Sequence, residues 1–191
     1  AGTFGGLSKN LRRLGIPSAI CADGPNGLHT TKESVQIPIG TSMAATWNKQ
    51  LVNEVFQIIG KEQKRLKVDL LLAPGINIHR HPLNGRNFEY FSEDPYLTGM
   101  MAISCTKGLH DVGASGTIKH FALNNQEFNR RVVNSVCSER AIREIYIKAF
   151  QMAVKAGNVI SIMTSYNPVN GHWTASNYDL NTTVLRGEWK F

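Results

Sequence analysis

The chain has 191 residues, 42% of them hydrophobic, and a formal net charge of +7. That hydrophobic share suits a folded core, and no run of about 18 apolar residues suggests a membrane span. Its Lys and Arg are scattered, as in Lys61, Lys64, Arg65 and Lys67, so the charge reads as solvated faces, and neither nucleic acid nor a membrane is expected as a partner.

Gly15 and Pro17 should stop a helix tail running over 7–14. Ser18-Ala19-Ile20-Cys21 is a strand-like run ending in the turn Asp23-Gly24-Pro25-Asn26-Gly27. Residues 37–44 read as a loop with a short strand candidate. Thr46 to Lys64 carries Trp47, Leu51, Val55 with Phe56, and Ile58-Ile59, close to the repeat of an amphipathic helix. Val68 to Leu72 is a second strand run, followed by Ala73-Pro74-Gly75 and then Gly85-Arg86-Asn87-Phe88-Glu89. Asp94 is suited to cap a helix to about His110, with Pro95 in its first turn and Leu97, Met101 and Leu109 as apolar positions. Gly116-Thr117-Ile118 is a third strand run and delivers Lys119-His120. Ser138 can cap a helix to Lys155, striped by Ile142, Ile145-Tyr146, Ala149-Phe150 and Ala153 and stopped at Gly157. Val159 to Met163 is a fourth strand run and delivers Ser165-Tyr166-Asn167. A last helix is expected over Tyr178 to Arg186, capped by Asn177.

Strands alternating with helices imply a parallel sheet with right-handed crossovers in one domain, 1–191. Polar clusters at the ends of successive strands point to one shared pocket, the arrangement of a (β/α)8-barrel enzyme. The length falls short of the roughly 250 residues of a closed barrel, so a partial TIM-type barrel of α/β class is expected.

The three cysteines Cys21, Cys105 and Cys137 are odd in number and lack CxxC spacing, so no zinc site or disulfide framework is expected. His79-Arg80-His81 lacks the further ligands that would complete a metal set. No GxxxxGK[ST], GxGxxG or GxSxG element follows a strand run. What remains suits a hydroxyl-rich ligand or an anion. Lys119 and His120 can donate, Arg86 offers a planar fork that Glu89 could orient, and Asp23 can accept from two neighbouring hydroxyls. Each has a plainer reading as well: an exposed dipeptide, a surface ion pair, and an Asp bonding its own turn.

In succession these segments resemble the N-terminal barrel domain of family 3 glycoside hydrolases, in their β-glucosidase branch. The resemblance rests on Leu14-Gly15-Ile16-Pro17 with Asp23 to Gly27, Ala44 to Asn48, Leu72 to Gly75, and Gly85 to Glu89 with Ser92 to Pro95. It continues through Lys119-His120-Phe121 with Asn124 to Glu127, Ser138-Glu139-Arg140, Met163 to Asn167, and Leu185-Arg186 with Trp189-Lys190-Phe191. It implies that Asp23, Arg86, Lys119 and His120 hold hydroxyls of a terminal non-reducing sugar. Met163 and Tyr166 would line the same subsite, and peptide bonds around His120 would be cis. The implied reaction is retaining hydrolysis of a terminal β-glucosyl residue from a β-glucoside or oligosaccharide, without metal or organic cofactor. The nucleophile Asp is expected on the strand after Phe191 and the acid/base Glu in a following α/β domain. No catalytic residue is therefore expected in this chain, and the remainder of the same protein is its expected partner. Phe121-Ala122-Leu123-Asn124-Asn125 differs from the Pro-Gly-His-Gly type loop of the N-acetylglucosamine branch. His29 stands where members with the Asp-Gly-Pro turn often carry Arg. A β-xylosidase or N-acetylglucosaminidase, or a non-catalytic carbohydrate-binding relative, are the alternative readings.

Overall fold

A computed structural model describes residues 13–16, 19–30 and 32–191. Strand β1 (Cys21–Asp23) lies parallel to β2 (Leu70–Leu72), with Asp23 opposite Leu72. Strand β3 (Thr117–Phe121) lies parallel to β4 (Ser161–Thr164), with Lys119 opposite Met163. Parallel bridges Leu71–Gly116 and Gly75–Lys119 join the two pairs, so the strands stand side by side in chain order. This is the open part of a (β/α)8 barrel, and every strand delivers its C-terminal end to the same rim. The strands are short, and β3 is buried throughout, as suits parallel strands covered on both faces.

Helices α1 (Gly40–Ala45), α2 (Lys49–Arg65) and α3 (Pro95–Asp111) precede β3. A short α4 (Glu139–Ala141) runs through a π-helical stretch, Ile142–Tyr146, into α5 (Lys148–Lys155). Helix α3 packs between α2 and α5, so small and apolar side chains are buried around most of it rather than along one stripe. A Cβ at Gly108 would stand 2.3 Å from the Asn53 carbonyl oxygen of α2, which is why the two backbones can approach there. Phe121, Phe150 and Trp189 pack edge to face behind the β3 end of the rim.

Asp94 caps α3, its Oδ1 accepting from Tyr96 N at 2.7 Å, and Ser138 caps α4, its Oγ accepting from Ala141 N at 3.3 Å. Asn177 Oδ1 accepts from Leu180 N at 3.0 Å and starts a π-helical segment, Asp179–Glu188.

Several expectations need correction. The strand candidate within 37–44 is absent, and α1 occupies its end. Thr41 Oγ1 bonds the Asn87 and Tyr90 carbonyls and docks that turn on the loop after β2. Helix α2 begins at Lys49 because Asn48 is its cap, so Trp47 lies outside it, 74% exposed. The buried face of α2 is Val52, Phe56, Ile59 and Gln63; Leu51 and Ile58 face outward, the true stripe being one residue out of phase. The π-helical stretch interrupts the helix expected from Ser138 to Lys155. It turns Ile145 outward and brings Ile147 into the core. A hairpin of β5 (Pro168–Val169) and β6 (His172–Trp173) was not foreseen, although Asn170-Gly171 is a strong turn signal, and both residues have positive φ. The helix tail expected over 7–14 lies, up to residue 12, outside the described residues.

Candidate active site

The site grows from the ends of β1 and β3. Lys119 is only 2% exposed, and its Nζ donates to Asp23 Oδ1 at 2.5 Å. Asp23 also accepts from Gly24 N at 3.0 Å, and its side chain remains 48% exposed on the rim. Glu89 Oε2 stands 4.0 Å from Lys119 Nζ, and its other oxygen accepts from Arg86 Nε. Glu89 is 4% exposed, so the Arg86–Glu89 pair is not the surface contact of the plainer reading. Burial alone would weaken the Arg86 guanidinium as a base, but its bond to Glu89 carries it above the ordinary value. Glu89 lies in a 3₁₀ turn, Asn87–Glu89, which directs its carboxylate inward while Phe88 faces solvent.

His120 follows Lys119 and is equally buried, so neither residue is the exposed dipeptide that a loop start would make. The β3–β4 register slips between Lys119 and Phe121, a bulge that re-aims side chains near the strand end. The Lys119–His120 and Phe121–Ala122 peptide bonds are cis, as the resemblance implied. Asn77 grips His120 by its backbone. Its Oδ1 accepts from His120 N at 2.9 Å and its Nδ2 donates to His120 O at 2.9 Å. His120 Nδ1 lies 3.2 Å from both Tyr90 Oη and Asn77 Oδ1. Burial, then the nearby charges of Arg86, Lys119 and Arg130, push the His120 imidazole down to about 2, so it is neutral. Burial pushes the Tyr90 phenol up, so its proton stays on.

A second chain of contacts leads outward. Asn124 Nδ2 donates to Tyr90 Oη at 3.0 Å and to Glu127 Oε1 at 3.1 Å, and Glu127 Oε2 accepts from Arg130 Nη1 at 2.8 Å. The Arg130 guanidinium sits 5.0 Å from the centroid of the half-exposed Tyr166 ring, with Arg131 at 5.6 Å. Met163 lies on β4 across from Lys119 and is half-buried.

Asp23, Arg86, Lys119, His120 and Tyr166 are thus linked through two continuous sets of contacts, joined where Lys119 meets His120 and Glu89 meets Tyr90. Donors outnumber acceptors; Lys119 and His120 lie buried behind the more exposed Asp23 and Tyr166. Such a surface can hold several neighbouring hydroxyls with fixed polarity.

The sequence did not single out Asn77, Tyr90, Arg130 or Arg131. Asn77 and Tyr90 lie within or beside ordinary apolar runs, and only their contacts across the barrel reveal them. His29 is exposed beside the Asp23 turn, its backbone N donating to Asp23 O at 2.7 Å. His79 Nε2 meets the Asn87 carbonyl at 2.8 Å and His81 Nδ1 accepts from Leu83 N at 3.1 Å, so both brace the loop. Among the described residues no group of three or more His, Cys, Asp or Glu is placed to hold a metal ion.

The glycosyl hydrolase family 3 N-terminal domain matches residues 6–191. A β-glucosidase from Ruminococcus albus is 56% identical over 193 residues, covering 100% of this chain and 20% of that protein. Thermostable β-glucosidase B from Acetivibrio thermocellus is 42% identical over 205 residues, covering 99% and 27%. The structure of a β-glucosidase from Paenibacillus barengoltzii superposes with a TM-score of 0.96 at 59% identity, covering 99% of this chain and 21% of that one. That of a β-glucosidase from Kluyveromyces marxianus in complex with glucose gives 0.93 at 41% identity, covering 98% and 23%. The chain therefore spans about a fifth to a quarter of the length of these relatives.

Proposed function

The chain belongs to glycosyl hydrolase family 3 through its N-terminal domain, and from that premise we propose that it supplies the sugar-holding part of subsite −1 in a retaining, exo-acting β-glucosidase. Its 191 residues act as one unit of an incomplete barrel. Asp23 accepts from hydroxyls of the terminal glucose while Lys119, Arg86 and His120 donate to others. Met163 and Tyr166 line the same subsite, with Tyr166 toward the reacting centre.

The Lys119–Asp23 pair at the rim is the observation that carries this reading. A buried ammonium fixes one oxygen of a half-exposed carboxylate, and Oδ2 has no protein partner among the described residues. A fixed, charged acceptor beside fixed donors distinguishes one arrangement of ring hydroxyls from another.

Retaining hydrolysis uses two carboxyl groups roughly 5–5.5 Å apart, one attacking the anomeric carbon and one protonating the leaving oxygen. Glu89 and Glu127 each accept from an arginine, Arg86 and Arg130, so they orient cations rather than attack. The remainder of the protein brings the nucleophile, an Asp on the strand after Trp189-Lys190-Phe191, and the acid/base Glu from a following domain.

The test is an aryl β-glycoside panel on the full-length protein, with the first-formed anomer followed by proton NMR. Faster turnover of the glucoside than of the xyloside or N-acetylglucosaminide, releasing β-glucose first, is expected. A faster xyloside or N-acetylglucosaminide identifies a sibling specificity, α-glucose first overturns retention, and no turnover of any glycoside leaves a sugar-binding relative.

A further inference from the structure

His120 brings an imidazole to the site, and what it offers a sugar depends on which nitrogen carries the proton. Among the described residues Nε2 has no hydrogen-bond partner, and it is not among their sealed, unpartnered polar atoms, so it keeps access to the space beside it. The tautomer is decided at Nδ1, which faces Tyr90 Oη and Asn77 Oδ1 at equal distance.

The neighbouring groups have little freedom. The Asn77 amide is fixed by its two bonds to the His120 backbone; its Oδ1 accepts from His120 N and keeps one lone pair that a protonated Nδ1 could also reach, so Tyr90 decides between the tautomers. The Asn124 amide is fixed by Glu127, whose carboxylate can only accept, so it is an N–H that Asn124 turns to Tyr90 Oη. Tyr90 Oη therefore already accepts one bond, and its own proton needs an acceptor. Among the described residues only His120 Nδ1 meets that need. If Nδ1 were protonated, the fully buried Tyr90 hydroxyl would have no acceptor among the described residues, and a buried donor without a partner is destabilising. If Nδ1 is bare, the Tyr90 hydroxyl and both N–H groups of the Asn124 amide have acceptors.

We propose that Tyr90, oriented by Asn124, donates to His120 Nδ1 and so holds His120 as the Nε2–H tautomer, a fixed hydrogen-bond donor aimed into the sugar site. Tyr90 is then a positioning residue that never touches the substrate. The site accordingly selects, at the hydroxyl His120 meets, for a group that can accept. This rests on the glycosidase reading and adds the polarity of one of its contacts.

Fluorine accepts weakly and cannot donate, whereas a deoxy carbon does neither. The experiment measures inhibition of the full-length enzyme by glucose and by its mono-deoxy and mono-fluoro analogues. The His120→Ala variant marks the relevant position as the one whose deoxy penalty disappears. There, the wild-type enzyme is expected to bind the fluoro analogue at least threefold more tightly than the deoxy analogue. Tyr90→Phe and Asn124→Ala should each shrink that ratio toward one, with ratios at the other positions unchanged.

Equal binding of the fluoro and deoxy analogues by the wild type overturns the proposal without using any variant. An unchanged ratio in a folded Tyr90→Phe enzyme overturns the role of Tyr90. Loss of glucose inhibition from the wild type itself would instead remove the glucosidase reading, and this proposal with it.

Discussion

The Asp23 carboxylate has two tasks, neutralising the buried Lys119 ammonium and offering an oxygen at the rim. Asp23→Ala removes both. A hydrogen bond involving a charged group contributes about 1.5–3 kcal/mol, so kcat/KM for an aryl β-glucoside should fall roughly 10- to 150-fold or more. Asp23→Asn keeps the shape but not the charge and should lose nearly as much; a loss under twofold would remove Asp23 from the site. His120 behaves differently. Its imidazole is held down to about 2, first by burial and then by Arg86, Lys119 and Arg130, so it binds no proton between pH 4 and 8. A group neutral across that range adds no limb to the pH profile. His120→Gln should therefore lower kcat/KM by about tenfold at every pH, with the limbs of the profile unmoved. A limb lost in that variant would show that the imidazole titrates. Polar residues at or after strand ends were legible in the sequence, because Asp23, Arg86, Lys119 and His120 declare their chemistry by type. Asn77 and Tyr90 were not. A buried Asn or Tyr gives no periodic or motif signal, and their value lies in contacts such as Tyr90 with His120, 30 positions apart in the chain.

At the scale of elements, local chemistry was a good guide to where helices begin and a poor one to which face they bury. Asn48 and Asp94 accept from backbone N–H groups as cap chemistry requires. The stripe of α2 differs from the expected one because Trp47, the largest apolar residue near its start, stands outside the helix, and a pattern counted from it falls out of phase. The π-helical stretch before α5 was not legible, because Ile142, Tyr146, Ala149, Phe150 and Ala153 are buried as an uninterrupted helix would place them, and only the exchange of Ile145 for Ile147 marks the wider turn. The close α2–α3 crossing at Gly108 gives a direct test. An alanine there would gain about 1 kcal/mol of helix propensity. Its methyl would stand 2.3 Å from the Asn53 carbonyl and 3.0 Å from Phe56 Cβ, and a backbone oxygen cannot rotate away. Overpacking of this kind costs about 1–3 kcal/mol, and pushing two helices apart lies at the upper end. Gly108→Ala should lower the Tm of the full-length protein by several degrees. Gly85→Ala, whose nearest neighbour is Glu127 Cγ at 3.7 Å, should leave it within about a degree. Equal effects from the two would show that the crossing is not tight.

Across the whole molecule, the alternation of strands and helices gave the parallel order β1-β2-β3-β4, because each connection is long enough for only one simple crossover. The consequence is an exposed side to β4. Among the described residues β4 pairs only with β3, and Ile160 at its start is exposed. A crevice of about 690 Å³ runs beside it, lined in part by Val159, Ile162, Leu185 and Trp189, and the buried Trp189 Nε1 has no partner among the described residues. Unpaired N–H and C=O groups flanked by apolar side chains are a template for another strand. Expressed by itself, the 191-residue chain should associate with itself, and size-exclusion chromatography with light scattering should detect species larger than a monomer. Ile160→Lys places a charge at that edge and should shift the distribution toward monomer without touching the candidate site. The same chain should not hydrolyse an aryl β-glucoside in either form, since its Glu89 and Glu127 are committed to arginines. Turnover by the isolated chain that disappears in Glu89→Gln or Glu127→Gln would return a catalytic carboxylate to this chain. A monomer that melts cooperatively would show instead that the β4 edge needs no further strand.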